Sequence, residues 1–188
     1  MGADLRRLPA DARGGLAHRG RHFLGLAAGW LALDQATKLA VVLGFKTPGR
    51  SHVTLLPGYL DLTFTYNSGA AFGILNNVAW SRFLFAAIAF AALAAMVYWR
   101  RVILALPGPQ RLGLALVAGG AAGNLVDRLC RGGLVVDFIH FHIARIGFVW
   151  PDFNVADIGV TCGMILYVAH AIWTDYQQAR SASHDQPE

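Results

Sequence analysis

The sequence predicts a polytopic α-helical membrane protein with four transmembrane helices and a small extracytoplasmic β-rich platform. Three observations carry that fold class. First, of 188 residues 55% are hydrophobic and only 14% are charged, and the mean hydropathy is +0.44, values outside the range of an ordinary soluble domain. Second, four windows, about Phe23 to Leu43, Trp80 to Trp99, Leu112 to Leu129 and Val155 to Trp173, approach the roughly 20 helical residues needed to cross a hydrocarbon core of about 30 Å. Third, a stretch such as "FLFAAIAFAALAAMVYW" (83–99) is apolar all round, whereas a helix of a soluble bundle keeps a polar face.

The elements follow in chain order. The opening "MGADLRRLPADARGGLAHRG" is rich in Gly and Arg and lacks hydrophobic periodicity, so residues 1–22 are expected to form a disordered basic cytoplasmic tail. They do not make a cleaved signal peptide, because the apolar stretch behind them is too long for a typical h-region and no A-x-A-like site closes it. Arg6, Arg7, Arg13, Arg19 and Arg21 precede the first span, and Arg100, Arg101 and Arg111 lie between the second and third. Short loops rich in arginine stay on the cytoplasmic side. Loops 44–79 and 130–154, which hold Lys46, Arg50, Arg131 and Arg145, then face outward, and the tail 176–188 returns to the cytoplasm. Residues 23–175 form one domain. The pI near 9.7 reflects this topology and anionic lipid headgroups, and no nucleic-acid motif is present. Cys130 and Cys162 have neither metal-ligand nor disulfide spacing, which points to buried structural roles.

The outer loops carry structure of their own. In "YLDLTFTY" (59–66), Leu60, Leu62, Phe64 and Tyr66 alternate with Asp61, Thr63 and Thr65, the period-two pattern of a strand with one greasy face resting on the membrane surface. Residues 134–149, with "LVVDFIHF" and "IGFVW", can supply further extended structure or a short interfacial helix, and periodicity alone does not choose.

Polar groups inside apolar spans are expensive and therefore informative. Asp34 lies midway along the first span with Lys38 one turn later, where the two can neutralise each other. The third span ends in "GGAAGNLVDR" (119–128); its small residues admit a close neighbour or ligand. Asn124 and Arg128 share a face there, and Asp127 stands beside Arg128, a pair that can be purely structural. Asp157 follows Asn154 at the start of the fourth span, where Asn154 is a good N-cap and an acid in the first turn suits the helix dipole. Asp137, inside the apolar run "VVDFI", has no such local reason.

If the third and fourth helices are antiparallel neighbours, the loop between them can bring Asp137 and Asp157 together at the outer surface. Two close carboxylates share a proton. One can then act as general base on water while the other donates to a scissile carbonyl oxygen, which is peptide hydrolysis without a covalent intermediate. The helix N-terminus favours charge on Asp157, leaving Asp137 as proton donor, although the pair titrates as a unit.

Five motifs, "DQATK" (34–38), "NSGAAFG" (67–73), "GGAAGNLVDR" (119–128), "VVDFI" (135–139) and "FNVAD" (153–157), occur in this order among the spans. Together they resemble the bacterial lipoprotein signal peptidases, the signal peptidase II family, over residues of about 23 to 175. The resemblance implies an aspartic endopeptidase of the cytoplasmic membrane that removes signal peptides from prolipoproteins, cutting just before a cysteine that carries diacylglyceryl. It implies Asp137 and Asp157 as the catalytic dyad and Asn154 as its orienting partner. Asn124 and Arg128 would line the substrate site, with the Arg binding peptide carbonyls, and Asn67 would border the same pocket. Asp34 would support the pocket or the fold. It further implies no cofactor and no metal, with membrane lipid and the lipidated prolipoprotein as partners of a monomer. "GAAFG" (69–73) suits a flap over the lipidated cysteine. Asp152 departs from the family pattern, as a third carboxylate able to raise the pKa values of the pair.

Two rivals draw on the same residues. Asp137 with His140 and His142 could collect zinc, although no H-E-x-x-H helix is present. Asp34, Asp127, Arg128 and Asp157 could instead form a proton or ion path, although the second span offers only Arg82, near its outer end, to continue one.

Overall fold

The computed structural model describes residues 10–45, 52–69 and 81–184. Five helices and four strands follow in order: α1 (Ala10–Gly44), β1 (Val53–Leu56), β2 (Leu60–Asn67), α2 (Ser81–Tyr98), α3 (Arg100–Ala105), α4 (Gly108–Cys130), β3 (Val135–Ile143), β4 (Phe148–Val149) and α5 (Val155–His184). The four long helices coincide with the four apolar windows. Two of them, Gly14–Gly44 and Val155–Ser181, are long and apolar enough to cross a membrane, and Phe83–Tyr98 is a shorter apolar helix. α4 is different because it lies between its neighbours, packing along α5 and against α1 and α2. A helix enclosed in this way needs small side chains more than greasy ones. Added Cβ atoms at Gly113 and Gly163 would strike each other's backbone carbonyls, and one at Gly120 would strike the Ala156 carbonyl.

The solubility pattern is inverted. Large apolar residues such as Leu24, Phe90, Val97, Ile165 and Ile172 are exposed, far beyond what a soluble monomer shows. The largest fully buried side chains are instead Lys38, Val136, Asn154, Asp34, Asp127 and Asp137. The interior thus holds a polar network beside its small apolar core, inside an apolar shell.

The expected disordered stretch 1–22 is corrected from Ala10 onward, where α1 already begins. Ala10, Ala12, Arg13, Leu16 and Ala17 favour a helix despite Gly14 and Gly15, and Arg19 Nη1 lies 3.5 Å from the Leu104 carbonyl of α3. Likewise α5 continues through His184, since Gln177, Gln178, Ala179 and Arg180 extend it without a breaker. Neither cysteine is buried: Cys130 and Cys162 are both exposed and free. Their helical positions turn outward into the apolar shell.

Residues 134–149 are mostly extended, as β3 and β4, with a single 3-10 turn at Ala144–Ile146 between the two strands. The antiparallel sheet has the order β1-β2-β3-β4, and β2 is the strand expected from period-two alternation. Leu62 and Phe64 pack with Val41, Val136 and Phe138, which seats the sheet on the end of α1. The flap expected of "GAAFG" lies outside the described residues beyond Gly69.

Candidate active site

The site is built on the first turn of α5. Asn154 Oδ1 accepts the Asp157 amide at 3.0 Å, and Asp157 Oδ2 accepts the Asn154 amide at 3.1 Å, a reciprocal box that satisfies two orphan helix donors. This local role leaves both side chains with a free end. Asn154 Nδ2 donates to Asp137 Oδ1 at 2.6 Å, and Asp157 Oδ1 accepts from Asn124 Nδ2 at 2.8 Å. One fully buried asparagine therefore holds both aspartates, its side chain on one and its backbone on the other.

Asp137 reaches this position by the alternation of β3, which turns Val136 and Phe138 to one face and Asp137 to the other, and an irregularity follows it. The consecutive amides of Phe138 and Ile139 both donate to the Phe153 carbonyl, at 3.1 and 2.9 Å, and the β2–β3 register shifts between Leu62 and Thr65. Two residues facing one is the signature of a β-bulge. Val136, Phe138 and Ile139 all join the apolar cluster, and Asp137 turns away from it to accept Asn67 Nδ2 at 2.7 Å. Burial pushes the Asp137 carboxyl up to about 6; the hydrogen bonds from Asn67 and Asn154 oppose the rise, and the charge of Asp157 adds to it.

Beneath the pair lies a saturated ionic frame. Lys38 Nζ contacts Asp34 at 2.9 Å and Asp127 at 3.0 Å and donates to Asn124 Oδ1 at 2.9 Å, which turns the Asn124 amide nitrogen toward Asp157. Asp34 Oδ1 accepts the Ala156 amide of α5 at 2.8 Å, and Asp127 Oδ2 accepts the Val136 amide of β3 at 3.1 Å. Gln35 Nε2 bridges Asp34 Oδ2, the Gly123 carbonyl and Asp127 Oδ1. The supporting role expected of Asp34 is thus specific: it caps the helix that carries Asp157.

Arg128 is not the partner of Asp127, whose ion pairs go to Lys38 and Arg131. Its guanidinium lies 5.7 Å from the centre of the Phe85 ring and interacts electrostatically with Asp157, then Asp137, and least with Asp127. Nη1 donates to the Asn124 carbonyl at 3.2 Å, while the buried Nε has no hydrogen-bond partner among the described residues. Such a donor is unusual inside a protein. Gly69, at φ +92, also lies against Phe85, where a Cβ would collide with the ring.

Residues 26–173 match the Signal peptidase (SPase) II family. This chain belongs to it. A lipoprotein signal peptidase of Ralstonia nicotianae is 39% identical over 163 residues, covering 85% of this chain and 88% of the relative. One of Symbiobacterium thermophilum is 38% identical, covering 76% and 88%. Two solved structures, each described as a bacterial membrane enzyme, match with TM-scores of 0.66 and 0.63 at 27% and 29% identity, covering 89% and 80% of this chain and 93% and 92% of theirs.

Within this signal peptidase II frame the structure assembles Asn67, Asn124, Arg128, Asp137, Asn154 and Asp157, with Asp34 directly below. Asp152 is a departure with a different outcome from the one expected. It bonds Thr63 and Thr65 at 3.1 and 2.9 Å and His140 at 2.6 Å, and it is not among the groups that shift Asp137. The zinc reading loses its ligand set: His140 is taken by Asp152, His142 faces Asp61 at 3.7 Å, and no group of three or more His, Cys, Asp or Glu among the described residues could hold a metal ion. The ion-path reading meets a Lys38 cluster whose charges are already paired. Sequence reasoning missed Gln35, Phe85 and Trp30, whose Nε1 donates to the Val155 carbonyl at 3.1 Å. No sequence signal marked Trp30, because its place against Gly159, where a Cβ would strike the indole, joins positions far apart in the chain.

Proposed function

We propose that this chain is an aspartic endopeptidase that removes signal peptides from diacylglyceryl-modified prolipoproteins, cutting just before the lipidated cysteine. The observation that carries the reading is the convergence of Asp137 and Asp157 on Asn154, with Asp137 raised to about 6. A water between the carboxylates loses its proton to ionised Asp157 as it attacks the scissile carbonyl. Protonated Asp137 donates to the carbonyl oxygen, giving a neutral tetrahedral diol. On collapse of the diol, Asp157 returns its proton to the leaving amine and Asp137 recovers its own. The unpartnered Arg128 nitrogen binds a substrate carbonyl. Four spans, with both termini cytoplasmic and the dyad at the outer face of the inner membrane, deliver the cleavage site where water is available, and the sheet rests on the surface beside it. The enzyme acts as a monomer, without cofactor or metal.

Cleavage of a diacylglyceryl prolipoprotein by the purified protein tests this. Asp137→Asn and Asp157→Asn are each expected to lower the rate by about 10²–10⁴-fold or more while the protein still inserts, and a chelator is expected to leave the rate unchanged. Full activity in either folded variant would remove the dyad.

A further inference from the structure

Away from the dyad, α1 and α2 both pack on α4 and leave a cavity of about 410 Å³ between them. Its walls are apolar, with Phe23, Leu31, Leu93, Met96 and Ala122 among them. Arg100 is the one polar side chain among the described residues that line it. Along α1 it extends from Gly20 to Leu31, about 17 Å at 1.5 Å per residue, close to one leaflet of a hydrocarbon core of about 30 Å.

We propose that this cavity holds an acyl chain of an anionic phospholipid whose phosphate sits on Arg100. The mouth is cationic on both sides, since Arg19 Nη1 lies 3.5 Å from the carbonyl of Leu104, itself a wall residue. No Asp or Glu occurs from Gly14 to Leu33 or from Ala91 to Val126, so nothing nearby on these segments neutralises the two guanidinium groups. Exposed Tyr98 and Trp99 directly precede Arg100, and aromatic residues of this kind mark the headgroup level. Basic pockets between spans at that level suit anionic headgroups.

Charge and size favour lipid over the signal helix of a substrate. A signal peptide begins with a positively charged segment, which the arginines repel. A helix about 10 Å wide over the same length also needs roughly 1,300 Å³, more than the about 1020 Å³ of empty space between these walls. The cavity shares no residue with the proposed peptidase centre, so a failure of the dyad reading leaves this proposal standing, and the reverse.

The test is native mass spectrometry of the full-length protein taken into mild detergent from vesicles of equal phosphatidylcholine and phosphatidylglycerol. Phosphatidylglycerol is expected to be retained preferentially. Arg100→Gln lowers the ratio of bound phosphatidylglycerol to phosphatidylcholine about fivefold, Arg100→Lys keeps it, and Ala28→Trp, which fills the cavity, expels lipid of both kinds. Equal retention of the two lipids, or a ratio unmoved by Arg100→Gln, overturns the proposal. So does photo-crosslinking of a prolipoprotein signal helix to Leu24 in place of lipid. The two Arg100 variants lie at the exposed end of the bundle and decide the question even where Ala28→Trp does not fold.

Discussion

Asn67→Ala isolates the proton on Asp137. The wild-type amide donates to Asp137 Oδ2 at 2.7 Å, and a hydrogen bond to a charged acceptor is worth about 1.5–3 kcal/mol. At 1.36 kcal/mol per pKa unit this corresponds to about one to two units, with little solvent screening because Asp137 is only 2% exposed. The donor stabilises the carboxylate, so its loss raises Asp137 further above its value of about 6. The proton that Asp137 must deliver is then kept to higher pH, and the basic limb of kcat/KM moves upward by about one unit or more. The maximal rate falls as well, since Asn67 Oδ1 also accepts the Gly69 amide at 2.7 Å. The assay is initial cleavage of a diacylglyceryl lipopeptide in fixed mixed micelles across the pH range. A limb that stays in place or moves to lower pH would refute Asp137 as the proton donor, whatever happens to the maximal rate.

Two further perturbations probe the frame. Lys38→Met strands Asp34 and Asp127 without their buried cation and is expected to destabilise the protein by about 3–5 kcal/mol; it also frees Asn124 from the orientation that serves Asp157. Thermal unfolding in detergent measures the first effect, and an unchanged Tm would show that the three charges do not depend on one another. Gly120→Ala places a Cβ against the Ala156 carbonyl and 3.0 Å from Val160 Cγ2, one residue from Asp157, and is expected to cost about 1–3 kcal/mol together with activity. Gly29→Ala, where a Cβ meets nothing within 4 Å, serves as the control and should leave both unchanged; equal effects from the two alanines would refute close α4–α5 packing as the cause.

What could be read from the residues was local. The apolar windows declare themselves because hydropathy sums along a short segment, and the Asn154–Asp157 box forms within one turn. The alternation from Leu60 to Tyr66 shows a strand because each side chain reports its own face. Where the local signal was weak, the reading failed: residues 10–22 have no apolar periodicity, yet they are helical from Ala10, with Arg19 and Gly20 against Leu104 of α3. Cys130 and Cys162 looked buried by residue type, but burial in an apolar environment does not require facing inward.

The sequence by itself marked the apolar windows of a membrane protein and the carboxylates of Asp34, Asp127, Asp137 and Asp157 as costly groups within or beside them, because the cost of charge in apolar surroundings can be read from any single segment; the meeting of Asp137 with Asp157 was conditional on how the last two long helices pack. Only the tertiary structure decided how the two are held. Lys38 takes Asp34 and Asp127 rather than leaving Asp127 to Arg128, Asn67 on the neighbouring strand holds Asp137 on the face of β3 opposite the apolar cluster, and Asn154 joins both carboxylates. Each of these depends on distances between residues far apart in the chain. Those distances follow from how closely the glycines of α4 let α1 and α5 approach, a quantity that no local period contains.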